Sequence, residues 1–161
     1  MDAYIGWKVV HVLSATVLMG TGMGIAFFCW FGSRYALGRD DIGALRTVLR
    51  FTVIADAVFT APAVVIQFVS GAALLHLAGW SWISPWTVTV LTLFLLMGAC
   101  WLPVVWIQVK LSRLAASAPS VAALSPHFAS WFRVWFILGI PAFSMVVAIV
   151  FMMVARPLAV V

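Results

Sequence analysis

The sequence predicts an all-α membrane protein, a bundle of four transmembrane helices that forms a single domain over residues 1–161. Hydrophobic residues make up 66% of the chain and charged residues 8%, whereas soluble domains have about 45–50% and about 25%. Four separate apolar runs each reach the length of about 20 residues that crosses a bilayer as a helix. The runs lack the alternation of a membrane β-barrel. This composition makes the lipid bilayer the expected partner and excludes a nucleic-acid-binding protein.

Each predicted span is an apolar run bounded by polar or helix-stopping residues. The spans cover approximately residues 7–31, 51–77, 87–109 and 130–155. A polar loop rich in arginine is expected after the first span, a short turn rich in tryptophan after the second, and another polar loop after the third. The last span ends at Arg156-Pro157, because proline cannot continue a helix.

The basic residues predict which way the bundle faces, since Lys and Arg concentrate on the cytoplasmic side of membrane proteins. Seven of the nine lie in the two polar loops or at the start of the fourth span: Arg34, Arg39, Arg46, Arg50, Lys110, Arg113 and Arg133. Both termini are therefore expected on the non-cytoplasmic side. Four tryptophans are expected in an aromatic belt at the cytoplasmic interface: Trp30, Trp106, Trp131 and Trp135.

Polar residues and prolines inside the spans need a separate explanation. Ionisable side chains are costly in a bilayer and are candidates for function. The polar candidates in the second and third spans are Asp56, Gln67 and Gln108. Asp56, Gln67 and Gly71 share one helical stripe, which we expect to face the interior of the bundle. Prolines inside the spans predict kinks around a central cavity, at Pro62, Pro103 and Pro141.

His11 is the residue that says most about chemistry. It lies about one turn into the first span, on a stripe of small residues that includes Ala15 and Gly22. Neutral imidazole is a strong ligand for iron, and a face of small residues would accept a flat macrocycle. We therefore predict haem b with His11 as an axial iron ligand. The alternative, in which His11 hydrogen-bonds a neighbouring carbonyl or a headgroup, is equally compatible with the sequence.

The other haem contacts follow from depth in the membrane. Met152, Met153 and His76 are the candidates for the second axial ligand, in that order. Lys8 is expected to meet a haem propionate.

Several longer motifs carry a family resemblance. They are Lys8-Val-Val-His11, Gly20-Thr-Gly22, Asp56-Ala-Val-Phe59-Thr60-Ala61-Pro62, Trp101-Leu-Pro103-Val-Val-Trp106-Ile-Gln108, Gly139-Ile-Pro141-Ala-Phe143 and Met152-Met153-Val-Ala-Arg156-Pro157. With these motifs the chain resembles, nearly end to end, a bacterial family of predicted integral membrane proteins, the domain of unknown function 2269. The resemblance implies a compact four-helix, multi-pass protein of the bacterial inner (cytoplasmic) membrane. It implies no particular chemistry.

A shorter run at the start of the first span, Trp7-Lys8-Val-Val-His11, resembles the HemJ-type protoporphyrinogen oxidase. That family binds haem b, and the resemblance maps its histidine onto His11. Its lysine on the third span has only Lys110 as a counterpart here, at the end of the span. The resemblance therefore implies haem binding more than oxidase activity.

Three functions are compatible with these residues. The leading hypothesis is a haem b protein that passes electrons, with a quinone or porphyrin-like substrate; whether it is an enzyme, a haem-dependent membrane oxidoreductase, stays open. The second is a proton or small-solute carrier with a path through Asp56, Gln67 and His11. An expected gap between Gln67 and His11 and the lack of inverted repeats count against that path. The third is a non-catalytic subunit of a membrane complex or a homodimer that packs through Gly20–Gly24.

The carrier hypothesis makes one further prediction about Asp56. A carboxylate in an apolar setting prefers its neutral form unless a cation is close. The basic residues near the same interface are Arg50, Lys110 and Arg133.

Overall fold

The computed structural model describes residues 2–156, which form four long α-helices joined by short connections. The helices are α1 (Ala3–Gly38), α2 (Ile42–Leu77), α3 (Pro85–Ser117) and α4 (Phe128–Ala155), and residues 2–156 contain no strand. All four are apolar and long enough to cross a membrane. The predicted class, an all-α membrane protein with four spanning helices, is confirmed. The side of the membrane on which the termini lie stays a prediction.

The helices extend well beyond the predicted spans at one end of the bundle. α1 has 36 residues, and at 1.5 Å per residue such a helix is roughly 54 Å long, against a hydrocarbon thickness of about 30 Å. The predicted polar loop after the first span is therefore wrong, because only residues 39–41 separate α1 from α2. α3 likewise continues through Lys110 and Arg113 to Ser117.

An apolar core outside the predicted spans explains this extension. Leu45 of α2 packs in one buried cluster with Leu111 and Ala115 of α3. Arg46 donates from Nε to the carbonyl of Ala115 at 3.0 Å and from Nη2 to that of Ala118 at 2.5 Å. These bonds satisfy carbonyls that the end of a helix leaves free. The charged stretch therefore folds as an amphipathic helix rather than as a loop.

Short polar caps start the second and third helices. Asp41 accepts a hydrogen bond from the backbone N–H of Ala44 at 2.8 Å. Ser84 accepts one from the backbone N–H of Thr87 at 3.2 Å, and Pro85 occupies the first helical position. Both arrangements satisfy donors that a helix start leaves unpaired, so the chain can turn sharply at these points.

Consecutive helices run antiparallel, and they do not pack equally well. His11, near the start of α1, contacts Ser70, near the end of α2. Trp86, at the start of α3, donates its indole N–H to the carbonyl of Met152, near the end of α4, at 2.9 Å. α4 packs mainly on α3 and meets α1 over a much shorter stretch. A cavity remains between α1 and α4.

Three helices carry a π-helical turn or a proline at the level of this cavity. α2 widens into one π-helical turn, Asp56–Thr60, whose first carbonyl accepts from the N–H five residues later. Pro62 follows at once; it has no N–H, and its ring excludes the carbonyl four residues earlier. Pro103 of α3 and Pro141 of α4 lie between residues that line the cavity. Pro103 and Pro141 thus lie at the level of a cavity, and the predicted kinks stay a prediction.

Candidate functional site

His11 is held between α1 and α2 by hydrogen bonds at both ring nitrogens. Nδ1 lies 2.8 Å from Oγ of Ser70, and Nε2 lies 3.0 Å from Nε2 of Gln67. Ser14 donates to Oε1 of Gln67, and Ser70 donates to the carbonyl of Ile66 at 2.6 Å. In this orientation of the Gln67 amide, its nitrogen donates to Nε2 of His11. Nδ1 of His11 then carries the ring proton and donates it to Oγ of Ser70. The imidazole is then neutral and fully hydrogen-bonded.

Gly71 allows α2 to approach this ring closely. A Cβ atom added at Gly71 would lie 3.2 Å from Cε1 of His11, tighter than an ordinary van der Waals contact. Gln67 and Gly71 thus meet α1, as expected of their stripe. The predicted gap between Gln67 and His11 is wrong, because the two side chains are hydrogen-bonded.

The haem hypothesis can be compared with this geometry. A haem iron needs an imidazole nitrogen with a free lone pair, and both nitrogens of His11 are engaged by α2. The cavity of the bundle lies beside Asp56 instead. The residues as they are arranged do not fit a haem at His11. Among residues 2–156 there is likewise no group of three or more His, Cys, Asp or Glu side chains that could hold a metal ion.

The remaining residues predicted to contact haem are spread over the end of the bundle that holds the termini. Lys8 and His76 are exposed. Met152 is buried, and its carbonyl accepts the indole N–H of Trp86. Met153 is half-buried. The structure brings Gln67 to His11, and it brings Gln108 to the second candidate site.

The second candidate site centres on Asp56, whose side chain is only 5% exposed. Asp56 begins the π-helical turn of α2. The polar side chains next to its carboxyl group are those of Thr60, Trp101 and Gln108, and the Thr60 hydroxyl donates to Oγ1 of Thr21 at 3.2 Å. All three are uncharged, so they solvate the carboxyl group without neutralising it.

The basic residues predicted to pair with this carboxylate lie elsewhere. Lys110 places Nζ 3.7 Å from the ring centroid of Trp131 and 4.8 Å from that of Trp106, within cation–π range. Arg50 and Arg133 are exposed. The expectation of a basic partner for Asp56 is not met by these three side chains.

A cavity of about 430 Å³ adjoins Asp56 between α1 and α4. Its floor consists of buried side chains: Asp56, Thr60, Met97, Gln108 and Trp135. Its rim consists of exposed apolar side chains: Met23, Phe27, Phe31 and Ile140. Because exposed apolar side chains of a spanning helix face lipid, the cavity opens sideways into the bilayer.

Two residues that line the cavity each have one buried polar atom with no hydrogen-bond partner among residues 2–156: Oε1 of Gln108 and Nε1 of Trp135. We call these two atoms the open pair. Their side chains are 2% and 4% exposed, and buried polar atoms of native proteins nearly always have a partner. One is an acceptor and the other a donor. A bound molecule with one donor and one acceptor would supply a hydrogen-bond partner to each of the two atoms.

Sequence reasoning selected Asp56 and Gln108 but assigned Trp135 to an interfacial belt. Trp135 is instead 4% exposed and lines the cavity. It lies one helical turn after Trp131, which packs against Lys110 near the end of the bundle. The signal in the sequence was the position of Trp135, one helical turn further into the span than Trp131.

The fold and this site define a class of protein: a four-helix integral membrane protein with a largely apolar pocket that holds a few buried polar side chains and opens to lipid. A family model described as "Predicted integral membrane protein (DUF2269)" matches residues 6–157. The chain therefore belongs to this family. No curated protein and no solved structure matches the chain, so the local resemblance to the HemJ-type oxidase gains no support.

Proposed function

We propose that this protein binds a small, largely apolar molecule in the cavity beside Asp56 and carries or presents it within the membrane. The observation that supports this function is the open pair, a buried donor and a buried acceptor that belong to two residues lining a cavity. Each would cost free energy if it stayed unpaired. Two of the three buried side-chain atoms without a partner among residues 2–156 belong to residues that line the cavity, as expected where a ligand supplies the missing bonds; the third is Oγ of Ser33.

The cavity has the size and composition of a small-molecule site. Its volume of about 430 Å³ is within the range of about 300–1,000 Å³ that is typical of such pockets, which are largely apolar with a few polar groups. Aromatic side chains supply much of the wall: Phe27, Trp30, Trp101, Trp135, Phe136 and Phe143. The preferred occupant has an apolar body toward the rim and a polar head toward Asp56.

The gap between α1 and α4 is the expected route of entry. Gly22 of α1 and Gly139 of α4 both line the cavity, and small residues there leave room between the two helices. Gly22 has the ring of Phe143 as its nearest neighbour across the gap, 3.7 Å from the position of an added Cβ atom. A molecule dissolved in the bilayer would therefore reach Asp56 without crossing a polar surface.

Energy transfer from tryptophan to a dansyl probe tests this proposal in detergent-solubilised protein. The probes are dansylcadaverine, a primary amine, and its N-acetyl derivative, which is neutral. We expect saturable energy transfer with at least one probe. Ala142→Phe should abolish it, because Ala142 is buried and lines the cavity. The matched control Ala99→Phe, at an exposed position, should bind as the wild type does.

Energy transfer that never saturates with either probe would contradict the proposed function. So would an Ala142→Phe variant that binds both probes as well as the wild type does.

Haem b with His11 as an axial ligand is a second proposal, and it requires His11 to release Gln67 or Ser70. An absorption spectrum before and after dithionite tests it. A Soret band that His11→Ala removes would support it, and a colourless protein produced with ample haem would oppose it. We also propose that the protein lies in the bacterial inner membrane and that it assembles as a homodimer or as part of a membrane complex.

A further inference from the structure

We infer that the molecule bound beside Asp56 is a lipophilic amine, held as its ammonium ion by the Asp56 carboxylate. This inference rests on the proposed function and names the class of its ligand. Asp56 is the one buried acidic side chain within residues 2–156. The other acidic residues are exposed near helix ends: Asp2, Asp40 and Asp41.

The first argument is the charge balance around Asp56. Its polar neighbours Thr60, Trp101 and Gln108 are uncharged, and Lys110 lies against two indole rings instead. A buried carboxylate is costly unless a cation pairs with it. The cavity is the space beside Asp56 that another molecule can reach. A cationic ligand would therefore supply the charge that the surrounding side chains do not.

The second argument is the direction of the hydrogen bonds. In a complex with an ammonium ion Asp56 is ionised and its oxygens only accept, so the nitrogen of the neighbouring Gln108 amide would face Asp56 and its oxygen, which belongs to the open pair, would be left for the ligand. An ammonium group has three N–H donors. One can bind Asp56 and another can bind Oε1 of Gln108. A ketone or quinone oxygen would leave Oε1 of Gln108 unpaired, and an anion would be repelled by Asp56.

The third argument concerns the rest of the ligand. Trp101 lies beside Asp56 and lines the cavity, and an indole face attracts a cation. The indole N–H of Trp135 is a donor and needs an acceptor on the same molecule. The rim is apolar. The ligand is thus an amine with an apolar body and an oxygen atom that can accept a hydrogen bond.

The two dansyl probes test this inference because they differ at the amine alone. Both carry a sulfonamide oxygen and the same fluorophore. We expect dansylcadaverine to bind the wild-type protein about thirtyfold more tightly than its N-acetyl derivative, since removing one partner of a buried charged pair has effects of this size. Asp56→Asn should reduce this preference to less than about threefold. The affinity for the N-acetyl derivative should hardly change.

Asp40→Asn is the matched control. It removes one acidic charge from an exposed residue with φ of 54°, a conformation that Asn tolerates. This variant should keep the full preference for the amine. Gln108→Leu removes the second acceptor and should lower the amine affinity about tenfold, the effect expected of one hydrogen bond to a charged group.

The possible results separate the two proposals. Equal affinity of the wild-type protein for both probes would overturn the amine and leave the binding function standing. An unchanged preference for the amine in Asp56→Asn would also overturn it. If neither probe binds saturably, the proposed function itself fails. Should Asp56→Asn not fold, the comparison of the two probes on the wild-type protein still decides.

Discussion

Two polar sites lie between the helices, around the half-buried His11 and the buried Asp56, and they differ in whether their hydrogen bonds are complete. At His11 both ring nitrogens bind side chains of α2; of these, Gln67 also accepts from Ser14 of α1, and Ser70 donates to the backbone carbonyl of Ile66. At Asp56 the open pair borders a cavity. An intramembrane ionisable residue is a candidate for function by default. The comparison refines that rule: the complete network joins two helices, and the incomplete one is available to a ligand.

Loss of the imidazole should have the largest effect on stability. His11→Ala leaves the half-buried Gln67 and the buried Ser70 without one of their partners, so we expect the free energy of unfolding to fall by about 2–4 kcal/mol. The measurement is equilibrium unfolding in detergent. Val12→Ala, at an exposed neighbouring position, is the control and should cost much less. A stable His11→Ala variant, or one that folds but loses probe binding, would erase the distinction between the sites.

A smaller loss of stability should follow from Gly71→Ala, which pushes the imidazole ring of His11 aside. In Gly71→Ala the new methyl group would lie 3.2 Å from Cε1 of His11, and overpacking of this kind costs about 1–2 kcal/mol. Gly98→Ala, where an added Cβ meets nothing within 4 Å, should be neutral or stabilising, because Ala favours helix. Combining Gly71→Ala with His11→Ala should remove the penalty of the methyl group. Additive penalties in the same unfolding assay would argue against a contact with the ring.

At Asp56 we expect a substitution to keep or raise the free energy of unfolding, whereas at His11 it lowers it. Asp56→Asn removes a buried ionisable group whose polar neighbours are uncharged, while it keeps the shape of the side chain. The ligand-free variant should be as stable as the wild type or more stable, by up to about 1 kcal/mol. Thermal unfolding of ligand-free protein measures this. A loss of more than about 1 kcal/mol would show that Asp56 holds the bundle together in the way that His11 does.

The smallest effect is expected at the donor of the open pair. Trp135→Phe removes an N–H group and leaves a ring of similar character, so ligand-free stability should change by less than about 1 kcal/mol. The affinity for dansylcadaverine should fall several-fold as its sulfonamide oxygen loses a donor. Trp82→Phe, at an exposed residue, serves as the control in the energy-transfer titration. Unchanged affinity in Trp135→Phe would remove this indole from the site.

The sequence predicts the four helices because an uninterrupted apolar run has few alternatives in a bilayer. It misses the extension of α2 through Leu45 and Arg46. The arginines lower the mean hydropathy of this amphipathic segment, so it is read as a polar loop. Asp56 and Gln108 are found because polar groups in a span are rare. The partnership of His11 with Ser70 is not found. It depends on the register between two helices, which no single helix encodes.

The cavity shows a second limit of sequence reasoning. Pro103 and Pro141 mark the right level of α3 and α4, but the space arises from how far α4 stands from α1. That separation is a property of packing among all four helices. The role of Trp135 depends on it as well, so the sequence places this residue only by depth.

The π-helical turn at Asp56–Thr60 makes α2 tolerant of a change in length at one place. A hydrogen bond that spans five residues encloses one residue more than the usual α-helical bond, so the turn holds a surplus residue. Val58 is exposed within it. We expect deletion of Val58 to leave Gln67 opposite His11. Deletion of Val65, in the regular part of α2, would instead rotate the rest of the helix by about 100° and turn Ser70 away from the imidazole.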